Sequence, residues 1–431
     1  MVTRWNRRTL GPGTPAALLA ATFFLLSAGA AAAEAVPGAR ERIVIGATLP
    51  LSGREAKPGS YVKEGLDLAF EQANAQGGLL VGGRRVPVEL SLMDDRSEPD
   101  YAAQLVEKLV RERDARFLLG TYSSVLTERQ AAVAERLSVP YLAGVAGASE
   151  IFLKNRRWVF GLSAPTKMEA YALLDWILER QRAGELPKPM RVAIAVLEGL
   201  AGTEFRQGVF SFMVRNPGVL ELVLDEHFPL EFHDFRPLLQ RIARGRADAL
   251  LVYVHVQNFL DMHRQYLAAG MCHRVLSYGL RGSEQEAILQ LGRPSLDYLL
   301  SVVRWDAQAA RDAQSTAFTR AFWERYRSAP QWYQAVGYET ARVLFRAVEN
   351  AKTLDREAVR ESLSTLRIPS LVPGGQISFP AAYGGQAHYP YLVRQNLPDG
   401  SMKIIHPSHA SNGTGVVNPR CGLAAALSPQ Q

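Results

Sequence analysis

What most limits the fold of this chain is a rhythm that runs once and then starts again. From residue 42, short apolar runs alternate with amphipathic stretches. They are RIVIGATLP (42–50), the helix pattern YVKEGLDLAFEQANAQGG (61–78), RVPVELSLMDD (85–95), PDYAAQLVEKLVRER, ARFLLG and VPYLAGV (139–145). Strand-length runs separated by helix-length stretches predict a parallel sheet with helices on both faces. The rhythm restarts at RVAIAVLEG (191–199) and continues through LELVLDEHFP, ADALLVYVH (247–255) and HRVLSYGL. Two series predict two doubly wound lobes, with a ligand outside the carboxyl ends of the strands where strand order reverses. The C-terminal third is different. Three helix patterns precede a turn-rich segment, PGGQISFPAAYGGQAHYP, and a hairpin around Pro398-Asp399-Gly400.

The first 35 residues stand outside this rhythm. Arg4, Arg7 and Arg8 precede the apolar AALLAATFFLLSAGAAAA and a run of small residues, the layout of a secretory signal cut after Ala33 or Ala35. The Arg7-Arg8 pair leaves both the general and the twin-arginine export routes open. With no cysteine near the cleavage region, a lipid anchor is not expected, and the mature chain is expected to be periplasmic. The formal charge of +7 is spread without a basic block, which argues against nucleic-acid binding. The three arginines and one glutamate of residues 1–35 account for two of those charges. Cys272 and Cys421 are the two cysteines. Either they bridge the C-terminal tail to the body, or they remain two thiols; their spacing makes no zinc site.

Several segments in order resemble the type I periplasmic solute-binding proteins of ABC importers, in the branch that binds branched-chain amino acids and amides. They are IGATLPLSG, EQANAQGGLLVGGRRVPVEL, MDDRSEP, GTYSSVLT, VPYLAGVAGASE, WVFGLSAP, AVGYETARVLFRAVENA, GGQISF and LVRQ, together spanning about 42 to 408. The resemblance implies an α/β fold of two Rossmann-like lobes with parallel sheets joined by three crossover strands. Carried over, lobe one comprises 40–161 plus 304–388 and lobe two 162–303 plus 389–420, with 421–431 a tail. Three crossings suit a hinge that closes on a ligand.

Candidate contacts follow from loops at strand ends. In GTYSSVLT, Ser123 and Ser124 sit where a strand passes into a helix, so backbone N–H groups and the positive helix end face them. The resemblance places the second serine, Ser124, against a ligand carboxylate or amide, with Tyr122 beside it. Ser123 and Thr127 are equally read as helix caps. The turn lacks the G-x-S-x-G of a nucleophile elbow and the glycines and lysine of a phosphate loop. In GVAGASE the resemblance places contacts at Gly147 and Ser149, with Ala148 between them a further candidate; the bland reading is a glycine turn with Ser149 as a cap.

Across the cleft, the amino-acid binders of the family carry an acidic residue where this chain has Arg281, with Glu284 three residues on. Arginine favours a carboxylate over an ammonium. Either Glu284 shifts to do the acidic job, or the ligand is not a standard amino acid, or Arg281 is a solvated loop charge. Tyr253, His255 and Gln257 follow another strand; His255 is a contact candidate or a satisfied histidine at a strand end. Asp94 and Asp95 read as caps of the next helix rather than as metal ligands. Trp305, Trp323 and Trp332 read as packing residues.

The expected function is a non-catalytic binding component that closes on a small polar ligand (amino acid, amide or small carboxylate) and hands it to an inner-membrane ABC permease. No cofactor and no metal are expected, and the protein is expected to be a monomer. The alternatives are a periplasmic serine hydrolase of α/β type and a ligand sensor that docks on a membrane receptor.

Overall fold

The computed structural model describes residues 42–310 and 312–421. The signal segment expected at 1–35, and the tail beyond Cys421, lie outside the described residues.

The first series forms β1 (Ile43–Leu49), α1 (Ala56–Ala75), the hairpin β2 (Leu79–Val81) and β3 (Arg84–Val86), β4 (Val88–Asp94), α2 (Pro99–Glu112), β5 (Phe117–Leu119), α3 (Ser124–Arg136), β6 (Tyr141–Ala143) and β7 (Val159–Gly161). The second forms α4 (Lys167–Arg182), β8 (Met190–Leu197), α5 (Leu200–Arg215), β9 (Leu220–Phe228), α6 (Arg236–Gly245), β10 (Ala249–Tyr253), α7 (Val256–Ala268), β11 (Val275–Ser277), α8 (Gln285–Leu291) and β12 (Leu300–Val303). Then come α9 (Ala313–Tyr326), α10 (Trp332–Ala351), α11 (Arg356–Thr365), the small pair β13 (Arg367–Pro369) and β14 (Gln376–Ser378), β15 (Leu392–Asn396) and β16 (Met402–His406).

The strands make two principal sheets, one ordered β4-β1-β5-β6-β7 and the other β16-β15-β12-β11-β10-β8-β9. Within each series the second main strand lies outside the first and the others follow on the opposite side. Both sheets therefore reverse direction between their first and third main strands, β1/β5 and β8/β10, and each reversal opens a crevice at the carboxyl ends. Pairing within each series is parallel, while β12, β15 and β16 pair antiparallel. Sequence pattern matches position. IVIGATL and ALLVY are buried along their whole length, as central parallel strands must be, whereas the edge strands β4 and β9 are largely half-buried.

The chain passes between sheets after β7, after β12 and again before β15. The passages lie side by side: Gly161 donates to Gly385 O and Ala387 donates to Gly161 O. Helices α9 and α10 return to the five-stranded lobe, where α10 packs on α1. There Gly65 faces the backbone of Gln334 and Gly337 faces the backbone of Val62, so near that a Cβ on either would overlap main-chain atoms. Helix α1 begins at Ala56, before the pattern at 61–78 suggests. Pro58 and Gly59 look like breakers, but Pro58 occupies the first turn, where its missing N–H would have had no partner.

After β16 the chain runs back along the seven-stranded sheet. Asn412 exchanges bonds with Ile404 (both 2.9 Å), and Val416 with the Gln395 side chain (both 2.7 Å). Cys421 is disulfide-bonded to Cys272, with Cα atoms 5.5 Å apart, so of the two readings the bridge is correct. No helix among the described residues is long and apolar enough to cross a membrane.

Candidate ligand-binding site

The carboxyl ends of both sheets face a common cleft. A cavity of about 60 Å3 lies there, walled by the segments after β5 (Tyr122–Val125), β6 (Val145, Gly147), β8 (Leu197–Gly202), β10 (Tyr253, His255) and β11 (Leu280, Arg281), with Arg304 and Trp332. Each wall is the loop that follows a strand, which is where the two strand-order reversals predict it.

The β5 loop is fixed from below. Buried Asp95 accepts from the hydroxyls of Thr121 (2.7 Å) and Thr48 (2.8 Å) and from Ser97 N (3.1 Å). Gln130 donates to Thr48 and accepts from Tyr141 Oη at 2.8 Å, extending the network into α3. Burial pushes the Asp95 carboxyl up, against the hydrogen bonds that lower it. Neighbouring Asp94 gathers Leu51 N, Arg96 N and Ser52 into the β1 loop. Neither aspartate caps α2, contrary to the sequence reading; both tie loops at the carboxyl edge, because they end a strand lying next to those loops.

Of the expected contact residues, Tyr122, Ser123, Ser124, Gly147, His255 and Arg281 line the cavity. Ser123 occupies the cap position of α3, but its side chain makes no cap bond. The Ser124 hydroxyl accepts from Ala148 N at 3.4 Å. Gly147 needs its missing side chain, since a Cβ there would lie 2.8 Å from Thr166 Oγ1 and 3.3 Å from Arg304 Nη2. Ala148 and Ser149 do not line the cavity. Ser149 instead gives both its donors to Glu204 of α5, the amide at 2.8 Å and the hydroxyl at 2.6 Å. A carboxylate from the seven-stranded lobe thus caps a short 3-10 turn of the other lobe. Burial raises the Glu204 carboxyl, and the two bonds from Ser149 work against that rise.

Arg281 is buried and is not a solvated loop charge. Its guanidinium donates to Glu284 Oε1 (3.0 Å), Val254 O (3.2 Å), Tyr122 Oη (2.9 Å) and Tyr333 Oη. Glu284 also accepts from Gly282 N at 2.7 Å, so its two oxygens are committed. Burial works against the charge on Arg281, yet Tyr122, Tyr333 and Glu284 hold its pKa well above the usual value. The residue joins the two lobes. His255 Nδ1 lies 3.0 Å from Glu55 Oε1 across the same cleft, close but not aligned as a hydrogen bond.

Arg304, which the sequence did not single out, stands where the chain leaves β12. It donates to Val145 O and to Ser163 Oγ (2.8 Å), and its Nη2 is 3.3 Å from Glu169 Oε1 of α4. Its guanidinium lies over the rings of Trp332 (5.1 Å) and Tyr391 (5.6 Å). Ser163, Arg304 and Tyr391 belong to three different passages between the sheets, so one side chain gathers all three. Both members of the Arg304–Glu169 pair shift upward in pKa. Arginine does not release its proton here, so burial acts on Glu169, whose carboxyl is pushed up to about 7 despite the neighbouring charge. The available signal was an arginine directly after the apolar run LLSVV, at a passage between lobes. Trp332 was read as packing, and it is also cavity wall. Trp305 packs edge-on against Phe318, while Trp323 is 52% exposed.

A family model described as "Periplasmic binding protein" matches residues 42–401. The chain belongs to the periplasmic binding protein family. Its relatives include a Leu/Ile/Val-binding protein homolog 7 of Brucella abortus (strain 2308), 22% identical over 404 residues, covering 91% of this chain and 97% of the relative. Among solved structures, a leucine-binding protein from Thermotoga maritima superposes with a TM-score of 0.72 at 21% identity, covering 88% of this chain and 99% of that one. An ABC-transporter solute-binding protein from R. palustris in complex with benzoate also superposes with a TM-score of 0.72 at 21% identity, covering 84% and 95%. The two-lobed α/β architecture with parallel sheets is that of these binding proteins. They are solute-binding proteins, not enzymes.

Proposed function

We propose that this member of the periplasmic binding protein family is the exported, monomeric substrate-binding component of an ABC transporter. It closes its lobes on a small polar ligand and presents the closed form to an inner-membrane permease. One observation carries the reading: a small cavity whose walls come from both lobes, with Ser149–Glu204, Arg281–Tyr122 and Glu55–His255 contacts crossing the cleft around it. A ligand in that position touches both lobes at once, and so stabilises the closed arrangement over the open one. The relatives' names frame the chemistry, running from Leu/Ile/Val to benzoate. Ser124 has no catalytic partner in the cavity wall. His255 is the histidine among the described lining residues, and it is turned to Glu55.

The test is isothermal titration of the mature protein with branched-chain amino acids, amides and small carboxylates, paired with small-angle scattering. Binding with contraction supports the reading. Turnover of an ester or amide substrate that is lost in Ser124→Ala would replace it with a hydrolase.

A further inference from the structure

The cavity wall is rich in donors that nothing in the protein satisfies. Arg304 Nε and Trp332 Nε1 are both buried N–H groups without a hydrogen-bond partner, on side chains that are each 3% exposed. Both residues line the cavity, and the guanidinium lies over the indole, so the two donors belong to one stacked unit. A buried donor left unpaired costs about 1–3 kcal/mol, which makes two in one wall an uncommon arrangement without an acceptor to meet them. In the same cavity wall, α3 begins with its first backbone N–H groups beside Ser124, and its cap residue supplies no side-chain bond. A helix start alone would carry nothing; here it lines the same cavity as the two residues that carry the buried donors.

Acceptors are scarce by comparison. Glu198 is the one acidic side chain among the described residues lining the cavity, and it is exposed at the outer end. Glu284 and Glu204 have both oxygens engaged by Arg281, Gly282 and Ser149. Glu169 Oε2 and Glu55 Oε2 are buried without a hydrogen-bond partner, but neither residue lines the cavity. A ligand ammonium would enter beside two guanidinium groups, with no carboxylate in the wall to receive it except the exposed Glu198. The rest of the wall (Val145, Leu197, Leu280) is apolar.

We propose that the ligand is a small monocarboxylate with an apolar body and no α-amino group, its oxygens accepting from Arg304, Trp332 and the start of α3. The proposal rests on the binding-protein reading above and narrows it to one ligand class. Arg281, the residue that first suggested an anion, acts instead as a staple between lobes.

The experiment titrates the mature protein with 4-methylpentanoate, leucine, benzoate and benzamide, and repeats the series with Trp332→Phe, which keeps a ring and deletes the N–H. Expected are at least tenfold tighter binding of 4-methylpentanoate than leucine and of benzoate than benzamide. Trp332→Phe should weaken the carboxylate by about tenfold, the scale of one hydrogen bond to a charged group, and move the amide less. Leucine binding as tightly as 4-methylpentanoate, benzamide matching benzoate, or Trp332→Phe weakening acid and amide equally would overturn the proposal and leave the binding-protein reading standing. Failure of all four probes, and of the wider amino-acid and amide panel, would overturn both.

Discussion

Arg304 is surrounded by groups from both lobes and all three passages, so its charge is tied to the point where the lobes connect. The partner Glu169 responds differently. Its carboxyl is about 7 in the folded chain and near 4.5 when exposed, so the fold binds its proton more tightly. That contribution to stability is fully present below about 4.5 and is lost as pH rises through about 7. Replacing Glu169 by Gln removes the titration. We expect the thermal midpoint of Glu169→Gln to fall less than that of the native chain between pH 5 and 8, with a differential on the order of 3 kcal/mol. Parallel melting curves would refute this. At the same scale, Tyr122, Ser123 and Ser124 could be placed in the cleft from sequence, because the loop following a strand fixes its own position. The role of Arg281 could not, since its partners Tyr333 and Tyr122 are 52 and 159 residues away along the chain. Ser149 was assigned to the ligand for the same reason: nothing local announces that Glu204, 55 residues on, takes both its donors.

Helices α1 and α10 touch backbone to backbone through Gly65 and Gly337, which fixes the floor that carries Trp332 and Tyr333. A methyl group at Gly337 has main-chain atoms in its way, and main chain cannot rotate aside as a long side chain can. Gly337→Ala is expected to destabilise by about 2–3 kcal/mol, read as a lower denaturation midpoint. An unchanged midpoint would mean the helices separate freely. The β5 loop depends likewise on Asp95. Asp95→Ala leaves the Thr48 and Thr121 hydroxyls without their acceptor, and should cost about 1–3 kcal/mol together with a measurable loss of ligand affinity. The order of elements was largely readable, because buried central strands and amphipathic helices differ in period. Which helix joins which sheet was not readable from period at all. The return of α9 and α10 to the five-stranded lobe came from the family resemblance, since amphipathicity gives a helix a buried face but no address.

For the whole molecule, the disulfide fastens the end of the C-terminal segment beside β11 of the seven-stranded sheet. Cys421→Ser frees residues 407–421 at their end. It should lower stability by about 2–4 kcal/mol at most and expose that segment to protease, while the cavity, formed elsewhere, keeps its affinity. The contacts across the cleft behave in the opposite sense. Glu204→Ala leaves the Ser149 amide and hydroxyl unpaired only when the lobes meet, so it should reduce ligand affinity about five- to fiftyfold with little change in the unliganded melting point. Ser149→Ala keeps the amide bond to Glu204 and should lose less. Equal affinity in all three proteins would show that the contact does not favour closure.

The Ser149–Glu204 bond has a consequence for what the cleft admits. Its two bonds are 2.8 and 2.6 Å long, and neither residue lines the cavity. In the proposed reading, a cargo large enough to hold the lobes apart would break it without touching either residue. If the lobes close as proposed, the pair would gauge cargo from outside the space the cargo fills. Selection on size can therefore be retuned at Ser149 and Glu204 while the groups that recognise charge stay as they are.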